Sequence, residues 1–185
     1  VYPPEFANRI QIEFVPAMTG EDAQYNMFGE SPPWQTFTFV RERSEYRGFG
    51  EIHILPVEEF PDTDSPFGYA LAQLQTMLDE HPNLSTYDGQ IVSIPLANAT
   101  QVVLVQPSYL DFGSGTGIRY ITHFAQDAYP LTDNDMLYMF IGLTSDGKYV
   151  VSARFPLYVE SLPTFEEAEP VDYGAFMETY GTYVC

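Results

Sequence analysis

Basic side chains are scarce in this chain: 7 Lys and Arg stand against 26 Asp and Glu, a formal net charge of -19 over 185 residues. Nucleic-acid affinity comes mainly from Lys and Arg displacing the counterions of the phosphate backbone, so DNA and RNA are excluded as expected partners. The one basic cluster, Arg41, Arg43 and Arg47, alternates with Glu42 and Glu45 and reads as a solvated, internally paired segment; an anion-contact patch is its other reading. Cysteine is nearly absent. Cys185 alone cannot form a disulfide within the chain, and nothing in its neighbourhood holds a partner histidine for thiol catalysis. The three histidines, His53, His81 and His123, lie far apart and form no short-range zinc pair. Long apolar runs are missing too. The longest, such as Leu137-Tyr-Met-Phe-Ile, falls far short of the roughly 20 residues a membrane helix needs, so no membrane span is expected.

What is present suits a single folded unit. Hydrophobic residues make up 45% of the chain and aromatics 16%, including 14 Tyr and 14 Phe, a content that fits broad sheet surfaces rather than disorder. The length accommodates one domain, residues 1–185, around one core. The acid excess favours solubility and gathers divalent cations. The bias to Arg over Lys, with Lys148 the only lysine, fits a saline or extracytoplasmic setting. Val1-Tyr-Pro-Pro reads as the start of a processed chain, with a signal or anchor expected upstream. Asn83-Leu-Ser and Asn98-Ala-Thr match the glycosylation triplet, a pattern short enough to recur by chance.

Apolar alternation marks the strands. Ile10, Ile12 and Phe14 share one face of a first strand ended by Pro16, and Thr36-Phe-Thr-Phe-Val and Glu51-Ile-His-Ile-Leu repeat the pattern. Further strands are expected at Ile91-Val-Ser-Ile, at Gln101-Val-Val-Leu-Val-Gln and from Gly117 to Phe124. Asp146-Gly147, between Leu137–Thr144 and Lys148–Phe155, is the strongest hairpin signal, because both residues tolerate the positive φ of a tight turn. A helix over about 65–81 is predicted from Ser65 as cap, Pro66 in the first turn and the stripe Phe67, Leu71, Leu74 and Leu78, with Pro82 as its stop. A short helix over about 172–181 carries Tyr173, Phe176, Met177 and Tyr180 on one side, with Gly181 as its end. The expected fold is α+β, a mainly antiparallel sheet of six or seven strands with the main helix on one face.

Motifs that carry chemistry are few. Gly113-Ser-Gly-Thr-Gly runs into a β pattern without a lysine and is a turn, not a phosphate loop; Asp111-Phe-Gly matches a kinase triplet in letters only. Ser145-Asp-Gly-Lys148 sits in a hairpin, not on the helix that a Ser-x-x-Lys pair requires. Arg119 and His123 fall on one face of a strand, and with Asp111 they mark the candidate ligand contact; His53 joins His123 if their strands are neighbours. Trp34 and exposed tyrosines offer stacking surfaces for a carbohydrate, although Trp34 after Pro32-Pro33 also reads as a loop anchor. Calcium is the ion such a surface suits, at Asp62 and Asp64 or at Asp133 and Asp135, and each pair also fits a purely structural role; neither loop completes an EF-hand, and no other cofactor is expected.

Four stretches resemble a domain of uncharacterised bacterial exported proteins and lipoproteins: Ile52 to Phe60, Ala97 to Val103, Tyr109 to Thr122, and Tyr138 to Ser152. The resemblance implies a place outside the cytoplasm, secreted or surface-anchored, and carries no activity with it. The leading expectation is a noncatalytic extracytoplasmic domain that binds a ligand or a protein or carbohydrate partner. The alternatives are a hydrolase acting through dispersed carboxylates, with a cleft near Asp111, Arg119 and His123, and a structural subunit of a surface assembly.

Overall fold

The computed structural model describes residues 7–40, 50–168 and 172–183; the Arg-rich segment 41–49 and Cys185 lie outside them. Three strands come first, β1 (Arg9–Val15), β2 (Trp34–Val40) and β3 (Gly50–Pro56), with a five-residue helix, α1 (Gly20–Gln24), between β1 and β2. Helix α2 (Pro66–Glu80) follows, then β4 (Thr100–Phe112), β5 (Gly115–Ala125), β6 (Met136–Thr144), β7 (Tyr149–Leu157) and a last helix, α3 (Tyr173–Tyr183). The strands form one sheet in the order β1-β2-β3-β7-β6-β5-β4, every pair antiparallel. The chain is therefore α+β: a three-stranded meander runs from one edge to the middle, the α2 connection crosses to the far edge, and a four-stranded meander returns until β7 closes on β3.

Helix α2 forms where the sequence predicts it, and its ends explain why. Ser65 Oγ accepts from Gly68 N–H at 3.0 Å and donates to the Asp62 carbonyl at 2.8 Å, while Pro66 fills a first-turn position whose N–H has no partner to lose. A Cβ at Gly68 would run into the backbone carbonyls of Pro61 and Asp62, so the entry to the helix demands glycine. At the other end His81 takes a left-handed φ of 49°, its N–H donates to the Met77 carbonyl, and its ring stacks on Tyr109 with centroids 3.9 Å apart. The Tyr109 hydroxyl donates to the Pro82 carbonyl at 3.1 Å, tying the helix end to β4.

The buried stripe Phe67, Leu71, Leu74 and Leu78 packs on Leu55, Ile118, Tyr120, Met139, Ile141 and Val150, which all project from one face of the sheet. Tyr120 is fully buried, and its hydroxyl donates to the Val92 carbonyl at 3.3 Å. Ile91-Val-Ser-Ile is a loop rather than the expected strand. Ile91 and Ile94 both enter the core, a spacing of three that a strand cannot bury on one face, and Pro95 has no N–H for a ladder. The predicted stop at Gly181 is also passed, since α3 continues to Tyr183.

The Asp-Gly hairpin is as read. Asp146 Oδ1 accepts from Thr144 Oγ1 at 2.7 Å and from Lys148 N–H at 3.1 Å, and Gly147 holds a φ of 70°. Those two hydrogen bonds, the Thr144 hydroxyl first, hold the Asp146 carboxyl below its usual range. Edge strand β4 is broken by register shifts between Gln101 and Val103 and between Val105 and Ser108, the second containing Pro107 and Gln106 at φ 50°.

Candidate functional site

A cleft of about 530 Å3 opens where β5 ends, within the size range of small-molecule sites. His123 and Phe124, near the end of β5, form one wall. Gln126, Asp127, Tyr129, Pro130, Thr132 and Asp135, from the loop to β6, form a second, and Phe165 and Ala168 after β7 form a third. The two loops are laced together. Asp133 N–H donates to the Pro163 carbonyl at 2.9 Å, and Val159 N–H donates to the Asp133 carbonyl at 2.8 Å. Thr164 gives its N–H and its hydroxyl to Glu167 Oε2 at 3.0 and 2.9 Å, which holds the exposed Glu167 carboxyl below its usual range, the backbone bond being the larger cause.

Within the cleft the polar groups are set by local geometry. His123 Nδ1 lies 3.0 Å from the Asp135 carbonyl, an acceptor only, so Nδ1 carries the proton and donates. In the neutral ring that leaves Nε2 as a hydrogen-bond acceptor. Asp135 Oδ2 accepts from Thr132 N–H at 2.7 Å and Thr132 Oγ1 at 2.8 Å, and Asp133 Oδ1 accepts from Asn134 Nδ2 at 2.8 Å. These carboxylates brace the loop. The aromatic groups are the exposed part: Phe165 is 80% and Tyr129 58% exposed, and Tyr129 lies 5.9 Å, ring centre to ring centre, from Tyr173 at the start of α3.

The structure brings together only some of the residues singled out in the sequence. His123 and Asp135 meet at the cleft, with Asp133 buried beside it. Arg119 shares His123's face of β5, across from Phe140 and Ser108, whereas Asp111 pairs with Thr116 near the β4–β5 turn and belongs to the opposite face. His53, on β3, is separated from β5 by β7 and β6 and lies on the other face. Asp62 and Asp64 are exposed ahead of α2. Among the described residues no group of three or more His, Cys, Asp or Glu side chains is placed to hold a metal ion. Trp34 stacks on Phe67, centroids 6.3 Å apart and planes 24° apart, and so packs against the core.

A second polar cluster lies on the α2 side of the sheet, beside a cavity of about 190 Å3. Thr36, His53 and Ser152 form one cross-strand row, and Glu51 stands opposite Arg154 in the next pair. His53 Nδ1 is 3.1 Å from Thr36 Oγ1 and Nε2 is 3.5 Å from Glu51 Oε2, the oxygen that Arg154 Nε also reaches at 2.8 Å. Burial first, with the Arg154 charge adding and Glu51 opposing, pulls the His53 pKa down to about 4. The order Thr, His, Glu mimics a nucleophile, base and orienting acid, but Thr36 and His53 are both buried in the sheet. Its evident work is to satisfy a neutral histidine inside.

Sequence reading missed Tyr129, Phe124 and Phe165. The signal for Tyr129 is a tyrosine placed directly before Pro130 in a loop between two strands, an exposed aromatic with no periodic partner. Phe165 offers none, because its place at the cleft depends on the loop pairing with Asp133. A scan against protein-family models, a search of curated proteins and a search of solved structures each found no match to this chain.

Proposed function

We propose that the chain is a noncatalytic, extracytoplasmic binding domain that takes a neutral, ring-bearing small ligand, a saccharide unit foremost, in the cleft between His123, Tyr129 and Phe165. The observation that carries this reading is the pairing of two highly exposed aromatic side chains with one acceptor nitrogen across a cavity of ligand size. Flat rings stack on the C–H faces of a sugar, while His123 Nε2 accepts from a ligand hydroxyl. Anionic ligands are disfavoured by a net charge of -19 and by Asp127 at the rim. Of the two carboxylates that line the cleft, Asp135 is held by Thr132 and Asp127 is exposed, an arrangement that supports binding rather than hydrolysis. The extracytoplasmic setting rests on the acid excess, on Arg over Lys, and on the resemblance to exported bacterial domains.

The test is a thermal-shift panel of the whole chain with neutral mono- and disaccharides, followed by calorimetry. One saccharide class should raise the melting temperature, and Tyr129→Ala and Phe165→Ala should each weaken it by about 1 kcal/mol, some fivefold in Kd, without lowering the ligand-free melting temperature. A panel without any shift, or a shift that survives both substitutions, overturns the reading. Turnover abolished by His123→Ala replaces binding with catalysis.

A further inference from the structure

The face of the sheet opposite α2 is apolar over most of its width, with Gln35, Arg119 and Ser108 as polar interruptions in its two rows. Across the strands one row reads Ile12, Phe37, Ile52, Ala153, Phe140, Arg119, Ser108, and a flanking row reads Phe14, Gln35, Ile54, Val151, Gly142, Gly117, Leu110. None of these residues belongs to the α2 core cluster. At the edges Ile12 is 61% and Phe14 67% exposed, and Val105 and Leu110 are each 39% exposed; further in, Phe37, Ile52, Ile54, Val151 and Phe140 are half-buried, and Ala153, Gly142 and Gly117 are buried. The Phe140 ring lies over Gly117 and Gly142 and packs edge-on against Phe112 at 5.4 Å, which keeps the middle of the face low.

Charge narrows the occupant. The chain carries 26 acids, yet no Asp or Glu projects from this face among the described strands, and Arg119 is its one cation. A basic partner finds no acid here, and an anionic membrane meets one Arg on a protein of net charge -19. Another strongly acidic molecule can approach only at an uncharged face, and the chain's own copy has one of matching size. Six strand spacings of about 4.8 Å by a strand length of about 17 Å give a flat footprint of about 500 Å2, more once corrugated. That is about two thirds of the roughly 800 Å2 per partner of a standard interface, and it falls in the range of roughly 300 to 600 Å2 of the largest patch on a typical monomer, a size that is often functional.

We infer that this face is the interface of a symmetric homodimer, two copies packing sheet on sheet. A twofold axis makes one patch self-complementary, and two sheets of the same twist pack aligned at about -30° and about 10 Å apart. Ile52, Ala153 and Phe140 lie at its centre, with Phe37 one strand from the β1 edge, and Arg119, one strand from the β4 edge, reaches its charge out to solvent along its aliphatic stem.

Sedimentation equilibrium of the whole chain tests this, with neutral phosphatidylcholine vesicles in a parallel flotation run. The expected mass is twice the 21.0 kDa of one chain. Phe14→Ser and the double change Ile12→Lys, Phe37→Lys should weaken association at least about a hundredfold while preserving the circular-dichroism spectrum. If the double variant does not fold, Phe14→Ser, at a highly exposed position, decides alone. A monomer at about 100 μM overturns the inference, flotation with the vesicles assigns the face to lipid instead, and a dimer unmoved by either variant places the interface elsewhere.

Discussion

His53 shows how a single side chain ties folding to pH. Its folded pKa of about 4 lies below the ordinary 6.5, so below pH 6.5 the unfolded chain takes up a proton that the folded chain refuses. Stability linked to His53 is complete above pH 6.5, drains as pH falls towards 4, and amounts to about 3 kcal/mol over that window. Falling pH also relieves carboxylate repulsion, so the readout is a difference between variants. Denaturant unfolding of wild type and His53→Gln between pH 7 and 4 should show the wild type losing more; parallel curves would mean that His53 is not held neutral. Gly68 is a steric counterpart. Gly68→Ala presses a methyl against the Pro61 and Asp62 carbonyls and should cost about 1 to 3 kcal/mol of unfolding free energy, whereas Ala70→Gly, inside the same helix, should cost about 1 kcal/mol.

At the level of elements, the parts that were legible in the sequence are those whose causes are local. Ser65, Pro66 and the Phe67-Leu71-Leu74-Leu78 stripe specify α2 within a single stretch, and Asp146-Gly147 closes the β6–β7 hairpin with bonds no longer than five residues. Ile91 to Ile94 misled because a β-branched apolar run looks alike in a strand and in a buried loop, and only the contact with α2 and β5 distinguishes them. The β3–β7 seam and the pairing of Asp133 with Pro163 and Val159 are long-range, and nothing short of the fold announces them. For that reason the sequence points to His123 and Asp135 separately, and to a cleft at His123 shared with Asp111 and Arg119 rather than with Tyr129 and Phe165. The cleft loop also bears on calcium: Thr132 already engages the Asp135 carboxylate, so adding calcium or chelator should leave the melting temperature unchanged. A calcium-dependent rise of several degrees would show that the loop rearranges around the ion.

Over the whole molecule, one sheet carries apolar patches on both faces, in a chain of net charge -19. Runs such as Tyr138-Met-Phe-Ile, apolar at every position, carry both faces at once; Met139 and Ile141 meet α2, while Tyr138 and Phe140 turn away. Alternation alone therefore revealed a sheet without revealing which of its faces meets α2. Self-repulsion of the net charge of -19 should make the melting temperature rise by a few degrees as salt increases, and the chain should pass through heparin unretained at physiological salt. A falling melting temperature would show that specific ion pairs outweigh this repulsion. Hydroxyl-radical footprinting at rising protein concentration is the most direct test of the two-faced sheet. Tyr120 should stay protected throughout, and Tyr138 and Phe140 should react readily when dilute and become protected as the concentration rises. Protection of Tyr138 and Phe140 at every dilution would contradict the account, because it would mean that the second face is already covered within a single chain.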